Sequence, residues 1–202
     1  KVYTNTRFAD LLKGLPRPVF DKQVRELDAD KHCKGFKSWD QMIALIYAQI
    51  ACASSLREIE TGFNSQRIHH YHLGTRCIRR STLADANQKR PAALFERICQ
   101  LLMAKVSRHL RQEVGEFLYL LDSTPIPLKG LGYDDWTRDN HNHRTQGLKV
   151  HVLMASGSNT PVQSLVSAPN INDIDVGRNM PIETGQTYVF DKGYCDYNWW
   201  HH

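Results

Sequence analysis

Two aspartates in the second half of the chain each follow a short apolar segment. Asp122 comes directly after residues 117–121, and Asp191 comes directly after residues 188–190. Short runs of apolar, aromatic and β-branched residues are typical of buried strands, so each carboxylate is expected at the rim of a sheet. Hard cations such as Mg²⁺ prefer oxygen ligands and bind phosphates. Two converging carboxylates would therefore indicate metal-dependent phosphodiester chemistry.

Either aspartate alone also has an ordinary structural explanation. Asp side chains commonly accept hydrogen bonds from nearby backbone, so Asp122 could stabilise a turn and Asp191 could cap a helix. The functional interpretation therefore depends on the pair.

The segments that would position these residues are short apolar runs separated by Gly, Pro and Asn. They predict strands over residues 117–122, 147–154, 161–167 and 187–191, and a short helix over 172–179. Lys149 and His151 alternate along the second strand and so share a face, where they would approach a phosphate or form a solvated polar surface. Lys192, beside Asp191, has the same two interpretations.

The first half of the chain has helical periodicity instead. Helices are predicted over residues 4–13, 18–30, 39–50, 56–63, 83–89 and 91–112. Ser38 is expected to cap the third helix, and residues 65–80 are expected to form an exposed loop rich in His and Arg. The third and fourth helices, joined by a tight turn, resemble the first part of a helix-turn-helix.

The two halves differ in charge. Residues 1–115 carry a net charge of +9 and residues 116–202 a net charge of −4. This asymmetry suggests a polyanion-binding module joined to a cation-binding one, although surface charges can also segregate by chance. The candidate DNA-binding residues of the basic half, which would otherwise form a solvated basic face, are Arg57, Arg67, Arg76, Arg79, Arg80, Lys89 and Arg90.

Several other classes of protein are disfavoured. The longest stretch of low polarity, residues 42–53, has 12 residues, fewer than the ~20 that a membrane helix requires. No secretory signal is expected at the start of the chain. Five widely spaced cysteines without a Cys-x-x-Cys pair favour free thiols in a reducing cytoplasm. His141 and His143 lie in a polar segment, which predicts a loop rather than a zinc site.

Several ordered motifs resemble one family. In the second half they are Asp122-Ser123-Thr124, Asp135-Trp136, residues 147–151 and residues 191–197. In the first half they are residues 35–41, 55–59 and 80–84. Together they resemble the DDE transposases of bacterial insertion sequences, of the type founded by insertion sequence four.

This resemblance implies an α+β protein with a helical DNA-binding region over residues 1–115 and an incomplete ribonuclease H-like mixed sheet over 116–202. It implies that Asp122 and Asp191 are catalytic and bind Mg²⁺ or Mn²⁺, and that Lys149 and Lys192 join the DNA-binding set. The family's glutamate lies beyond the second aspartate, and no acidic residue follows Asp196 in this chain. A third carboxylate is therefore not expected here.

The implied activity is metal-dependent cleavage and transfer of DNA strands in transposition, with little or no turnover expected from this chain. The implied partners are the double-stranded terminal repeats of the element, the target DNA and further copies of the protein on DNA, in the cytoplasm and without a membrane. One alternative is a non-catalytic DNA-binding fragment that occupies element ends or associates with intact transposase. Another is a small nuclease or structural domain unrelated to mobile DNA.

Overall fold

A computed structural model describes residues 7–113, 118–128, 135–137, 146–180 and 182–201. The chain divides into two units, residues 1–99 and 100–202. The first is helical and the second is built on a sheet, so the predicted α+β fold is confirmed. The sequence places a domain boundary after residue 115, and that boundary stays a prediction. Residues 140–144, including the two histidines of the predicted polar loop, lie outside the described residues.

Unit 1 consists of helices. They are α1 Arg7–Leu12, α2 Arg17–Glu26, α3 Ser38–Ile50, α4 Leu56–Ser65, α5 His70–Leu73 and α6 Arg80–Lys89. A longer helix, α7 Ala93–Glu113, begins in unit 1 and ends in unit 2. The apolar positions that predicted these helices form the core of the unit, with Phe20, Ile43, Phe63 and Leu83 at most 2% exposed.

The start of α3 differs from the prediction. The helix begins at Ser38 itself, and the Lys37 N–H donates to the Asp40 carboxylate at 2.8 Å. The Ser38 hydroxyl instead donates to the Asp30 carboxylate, also at 2.8 Å. The Asp40 side chain therefore caps the start of α3, and Ser38 connects the helix to the preceding segment instead of capping it.

The exposed loop predicted over residues 65–80 is wrong for part of its length. A 3-10 helix, Arg67–His69, leads into α5, and His70, Leu73 and Ile78 are buried. The His70 ring stacks on Phe63 with centroids 4.4 Å apart, and its Nε2 lies 3.0 Å from the Phe63 carbonyl oxygen. A histidine that packs as an aromatic ring is hidden in a segment that is polar by composition.

Unit 2 contains a four-stranded mixed sheet. Its strands are β1 Leu118–Pro127, β2 Gly147–Ala155, β3 Thr160–Ser167 and β4 Thr187–Phe190, in the order β3-β2-β1-β4. β2 is antiparallel to β1 and β3, whereas β4 is parallel to β1. A short helix, α8 Asp173–Gly177, lies in the crossover from β3 to β4. A 3-10 helix, Lys192–Tyr194, and α9 Tyr197–His201 follow β4.

The two faces of the sheet differ in burial because side chains alternate along each strand. One face contributes Tyr119, Leu121 and Leu153 to a buried cluster that also contains Val176 and Tyr194. The alternate residues of β1 are exposed, and Asp122 is one of them.

Across the described part of the chain, every helix is too short or too polar to span a bilayer.

Candidate active site and nucleic-acid interface

The pairing of β1 with β4 brings the two predicted aspartates to neighbouring positions. The last paired residues of these parallel strands are Leu121 and Phe190, so Asp122 and Asp191 come next on each strand. Adjacent strands in a sheet are about 4.8 Å apart. The expectation that Asp122 ends β1 is wrong, however, because β1 continues beside β2 to Pro127. Asp122 marks only the point where pairing with β4 stops.

Both aspartates are exposed and accept local hydrogen bonds. Asp122 Oδ1 accepts from the Ser123 N–H at 2.7 Å, and Asp191 Oδ1 accepts from the Gly193 N–H at 2.8 Å. These contacts are the ones expected if Asp122 only stabilises a turn and Asp191 only caps a helix. Each carboxylate nevertheless has further lone pairs that can bind other ligands. In the part of the chain that the structure describes, no three His, Cys, Asp or Glu side chains converge as a metal site.

Asp173 is a further carboxylate, close to Asp191, that the sequence interpretation missed. A Cβ atom on Gly193 would lie 3.0 Å from Asp191 Oδ1 and 3.1 Å from Asp173 Oδ2, so the two carboxylates flank this glycine closely. Asp173 is the first residue of α8. The predicted helix over 172–179 covered this residue, but only the return of the chain from β3 to β4 brings it to the site.

Lys149 has an internal partner. Its Nζ donates to Asp173 Oδ1 at 3.0 Å and to the Ile171 carbonyl at 2.7 Å, and its side chain is 19% exposed. This environment favours a structural ion pair over the predicted phosphate contact. His151 cannot contact a phosphate, since it is fully buried. Lys192 is exposed beside Asp191, and its contact with DNA stays a prediction.

The buried Tyr194 phenol responds to all three carboxylates. Its pKa is raised to about 12, mainly by burial and further by Asp173, Asp122 and Asp191, while a hydrogen bond from the Ser123 side chain opposes the change. Burial also lowers the pKa of His151, against the opposing effect of the Asp173 carboxylate. Both rings are therefore neutral near pH 7. The negative charge of the site belongs to the three aspartates.

The basic side chains predicted to bind DNA are mostly exposed on unit 1. The exposed members are Arg57, Arg67, Arg76, Arg79, Arg80 and Lys89. Arg57 and Arg80 line one shallow groove of about 630 Å³ with Ser55 and Ser81, at the start of α4 and α6. Residues from two helices that are distant in sequence thus line the same groove.

Arg90 differs from the other members of this set. Its side chain is 5% exposed and lies 3.3 Å from the Asp30 carboxylate. It donates to Gln41 Oε1 at 3.0 Å and lies over the Phe36 ring at 5.2 Å. A guanidinium that is already paired within the unit is unsuited to a phosphate contact, so we remove Arg90 from the DNA-binding set.

Comparison with known families agrees with this architecture. Residues 116–202 match the family model of the transposase DDE domain, and residues 3–76 match a domain of unknown function, DUF4372. No solved structure matches the chain significantly. The mixed sheet of unit 2 therefore lies in residues that match a transposase DDE domain, which agrees with the ribonuclease H-like fold expected from the sequence.

A relative from Sinorhizobium fredii is named "Putative transposase y4zB". It is 44% identical to this chain over 118 residues, which are 58% of this chain and 32% of the relative. The chain therefore spans about a third of the relative's length.

Proposed function

We propose that this chain acts in metal-dependent cleavage and transfer of DNA strands at the ends of an insertion sequence. Asp122 and Asp191 are the proposed catalytic carboxylates. The observation that carries the proposal is the parallel pairing of Leu121 with Phe190, after which the two aspartates follow on adjacent strands. DDE chemistry requires carboxylates that act on one phosphodiester, and this register supports that role.

The donor set suits Mg²⁺ or Mn²⁺. Hard divalent ions prefer oxygen ligands, and both proposed ligands, Asp122 and Asp191, have carboxylate oxygens. Both side chains are exposed and so accessible to an ion. The bound ion would supply positive charge to the scissile phosphate and activate the attacking oxygen. The role of the two aspartates is to hold that charge at the end of the β1–β4 pairing. Because two carboxylates alone hold a metal loosely, weak binding is expected.

The proposed partner is double-stranded DNA, including the terminal repeats of the element and the target site. We assign phosphate contacts to Lys192 and to the six exposed basic residues of unit 1, which are Arg57, Arg67, Arg76, Arg79, Arg80 and Lys89. Contacts of this kind give affinity for DNA without sequence specificity. Assembly of several copies on DNA is part of the proposal. A DNA substrate and five free cysteines agree with action in the bacterial cytoplasm.

A cleavage assay tests the catalytic role. Labelled duplexes spanning each boundary of the surrounding element are incubated with the chain and Mg²⁺ or Mn²⁺. We expect strand cleavage that is slow, because two carboxylates alone hold the metal loosely, and that falls at least ~100-fold further in Asp122→Asn and Asp191→Asn. Asp175→Asn is the matched control, because Asp175 is also exposed in unit 2 and pairs only with nearby Arg178 in the described contacts. Equal cleavage by all four proteins would refute the assignment.

A second candidate is a DNA-binding chain without catalysis. The observation in its favour is that the described residues contain no converging group of three metal-binding side chains. Under this alternative, the chain occupies element ends or joins intact transposase. Gel-shift binding to the boundary duplexes without any cleavage would support it. Equal affinity for boundary and scrambled duplexes would instead favour a protein unrelated to mobile DNA.

A further inference from the structure

Four polar side chains form a hydrogen-bonded chain next to the segments that carry the two aspartates. Tyr194 and His151 have no exposed surface. The Tyr194 hydroxyl lies 3.0 Å from His151 Nδ1, and His151 Nε2 lies 2.9 Å from the Ser167 hydroxyl. Ser123 of β1 lies opposite His151 in the β1–β2 register, and its side chain hydrogen-bonds the same phenol. We call these four residues, Ser123, His151, Ser167 and Tyr194, the polar clamp.

The hydrogen bonds of the polar clamp have a single order of donors and acceptors. The Ser167 hydroxyl donates to the Ala168 carbonyl at 3.2 Å, so it accepts from His151 Nε2. His151 Nδ1 then accepts from the Tyr194 hydroxyl, whose oxygen accepts from Ser123. This order requires a neutral imidazole and a neutral phenol. The lowered pKa of His151 and the raised pKa of Tyr194 agree with that requirement.

We propose that the polar clamp positions the turn that carries Asp191 against the strand that carries Asp122. Ser123 follows Asp122 directly, and Tyr194 closes the 3-10 helix that Asp191 caps. The clamp therefore ties a close neighbour of one aspartate to a close neighbour of the other. Tyr194 is a positioning residue in this scheme and does not touch the reacting atoms. Only the catalytic consequence of the clamp rests on the proposed function.

Backbone relaxation measured by NMR on the full chain tests the clamp without metal or DNA. Tyr194→Phe removes one hydroxyl and keeps the buried ring. Tyr188→Phe is the matched control, because its hydroxyl accepts from the Glu183 N–H at 3.0 Å, outside the clamp. We expect amide order parameters at Lys192 and Gly193 to fall from about 0.85 to below about 0.6 in Tyr194→Phe only. Unchanged values in the folded variant would overturn the proposal.

Mn²⁺ titration of the same proteins separates this proposal from the proposed function. If wild-type Mn²⁺ binding depends on Asp122, we expect Tyr194→Phe to weaken it about five- to tenfold and Tyr188→Phe to leave it unchanged. If it does not depend on Asp122 while the order parameters still fall, the metal assignment fails and the clamp stands.

A second variant covers the case in which Tyr194→Phe folds poorly. Ser123→Ala deletes only the donor to the phenol and leaves the buried ring in place. We expect it to lower the same two order parameters, although less than Tyr194→Phe does, since the bond to His151 remains. A folded Ser123→Ala protein with unchanged order parameters would overturn the role of the clamp.

Discussion

Replacing Arg90 by alanine separates a structural role from a DNA-contacting one. Its side chain is 5% exposed and donates to Gln41, which is itself 2% exposed. Loss of the guanidinium leaves the Gln41 carbonyl buried without this donor and the Asp30 carboxylate without its cation. A hydrogen bond to a charged group contributes about 1.5–3 kcal/mol, and a buried unpaired group costs about 1–3 kcal/mol. We expect Arg90→Ala to lower the free energy of unfolding of unit 1 by about 2–4 kcal/mol.

Urea denaturation followed by circular dichroism measures this change. Arg80→Ala is the control, because Arg80 is exposed in α6 and its loss should change the unfolding free energy by less than about 0.5 kcal/mol. Arg90→Lys keeps the charge but loses the planar fork, so it should also destabilise the fold.

DNA affinity, measured where the variants remain folded, should show the opposite order. We expect Arg80→Ala to bind duplex DNA more weakly than the wild type and Arg90→Ala to bind it about equally. The reasoning fails if Arg90→Ala keeps the wild-type unfolding midpoint and weakens DNA binding as strongly as Arg80→Ala.

Three further predictions concern the basic surface, the buried histidine and the glycine beside the aspartates. Arg57→Ala should reduce the slope of log DNA affinity against log salt concentration by about 1, because one phosphate contact is lost. An unchanged slope in a salt titration would exclude a phosphate contact by Arg57. His151 has a lowered pKa in the folded state, so it binds a proton more readily when unfolded. The free energy of unfolding should therefore be retained above pH 6.5 and fall as the pH drops below that value, and urea midpoints across this range will measure the change. The His151→Gln variant should lack the part of this pH dependence that comes from His151. Gly193→Ala would place a Cβ atom 3.0 Å from the Asp191 carboxylate, so it should weaken Mn²⁺ binding several-fold. It should change the free energy of unfolding by less than about 1 kcal/mol. Mn²⁺ affinity equal to that of the wild type would contradict this prediction.

The sequence predicted the sheet well because its strands follow local patterns. The observed strands agree closely with the predicted ones for β2, β3 and β4. β1 is longer than expected, since residues 123–127 include two prolines and no buried side chain, and only pairing with β2 holds them in the sheet. A one-sided pairing of this kind has no signature in hydrophobic periodicity.

The side-chain environments were less accessible from the sequence. Arg90 has the composition of a DNA-contacting residue, but the packing of α6 and the preceding segments decides that it is buried. Lys149 was assigned to the phosphate by its alternation along β2, which fixes its face but not its partner on α8. Asp173 gave no signal at all, because its approach to Asp191 depends on the crossover between β3 and β4. Tertiary contacts of this kind override local propensity.

The parallel pairing of β1 with β4 also has a consequence for the order of folding. β4 has four residues, lies at one end of the described strand order, and is separated from β1 in sequence by β2, β3 and α8. Closing so long a loop costs entropy before any contact repays it, so this strand is expected to dock late. A nascent chain would then acquire its paired aspartates only once the rest of the sheet exists, so any metal binding that needs both carboxylates would come last in folding.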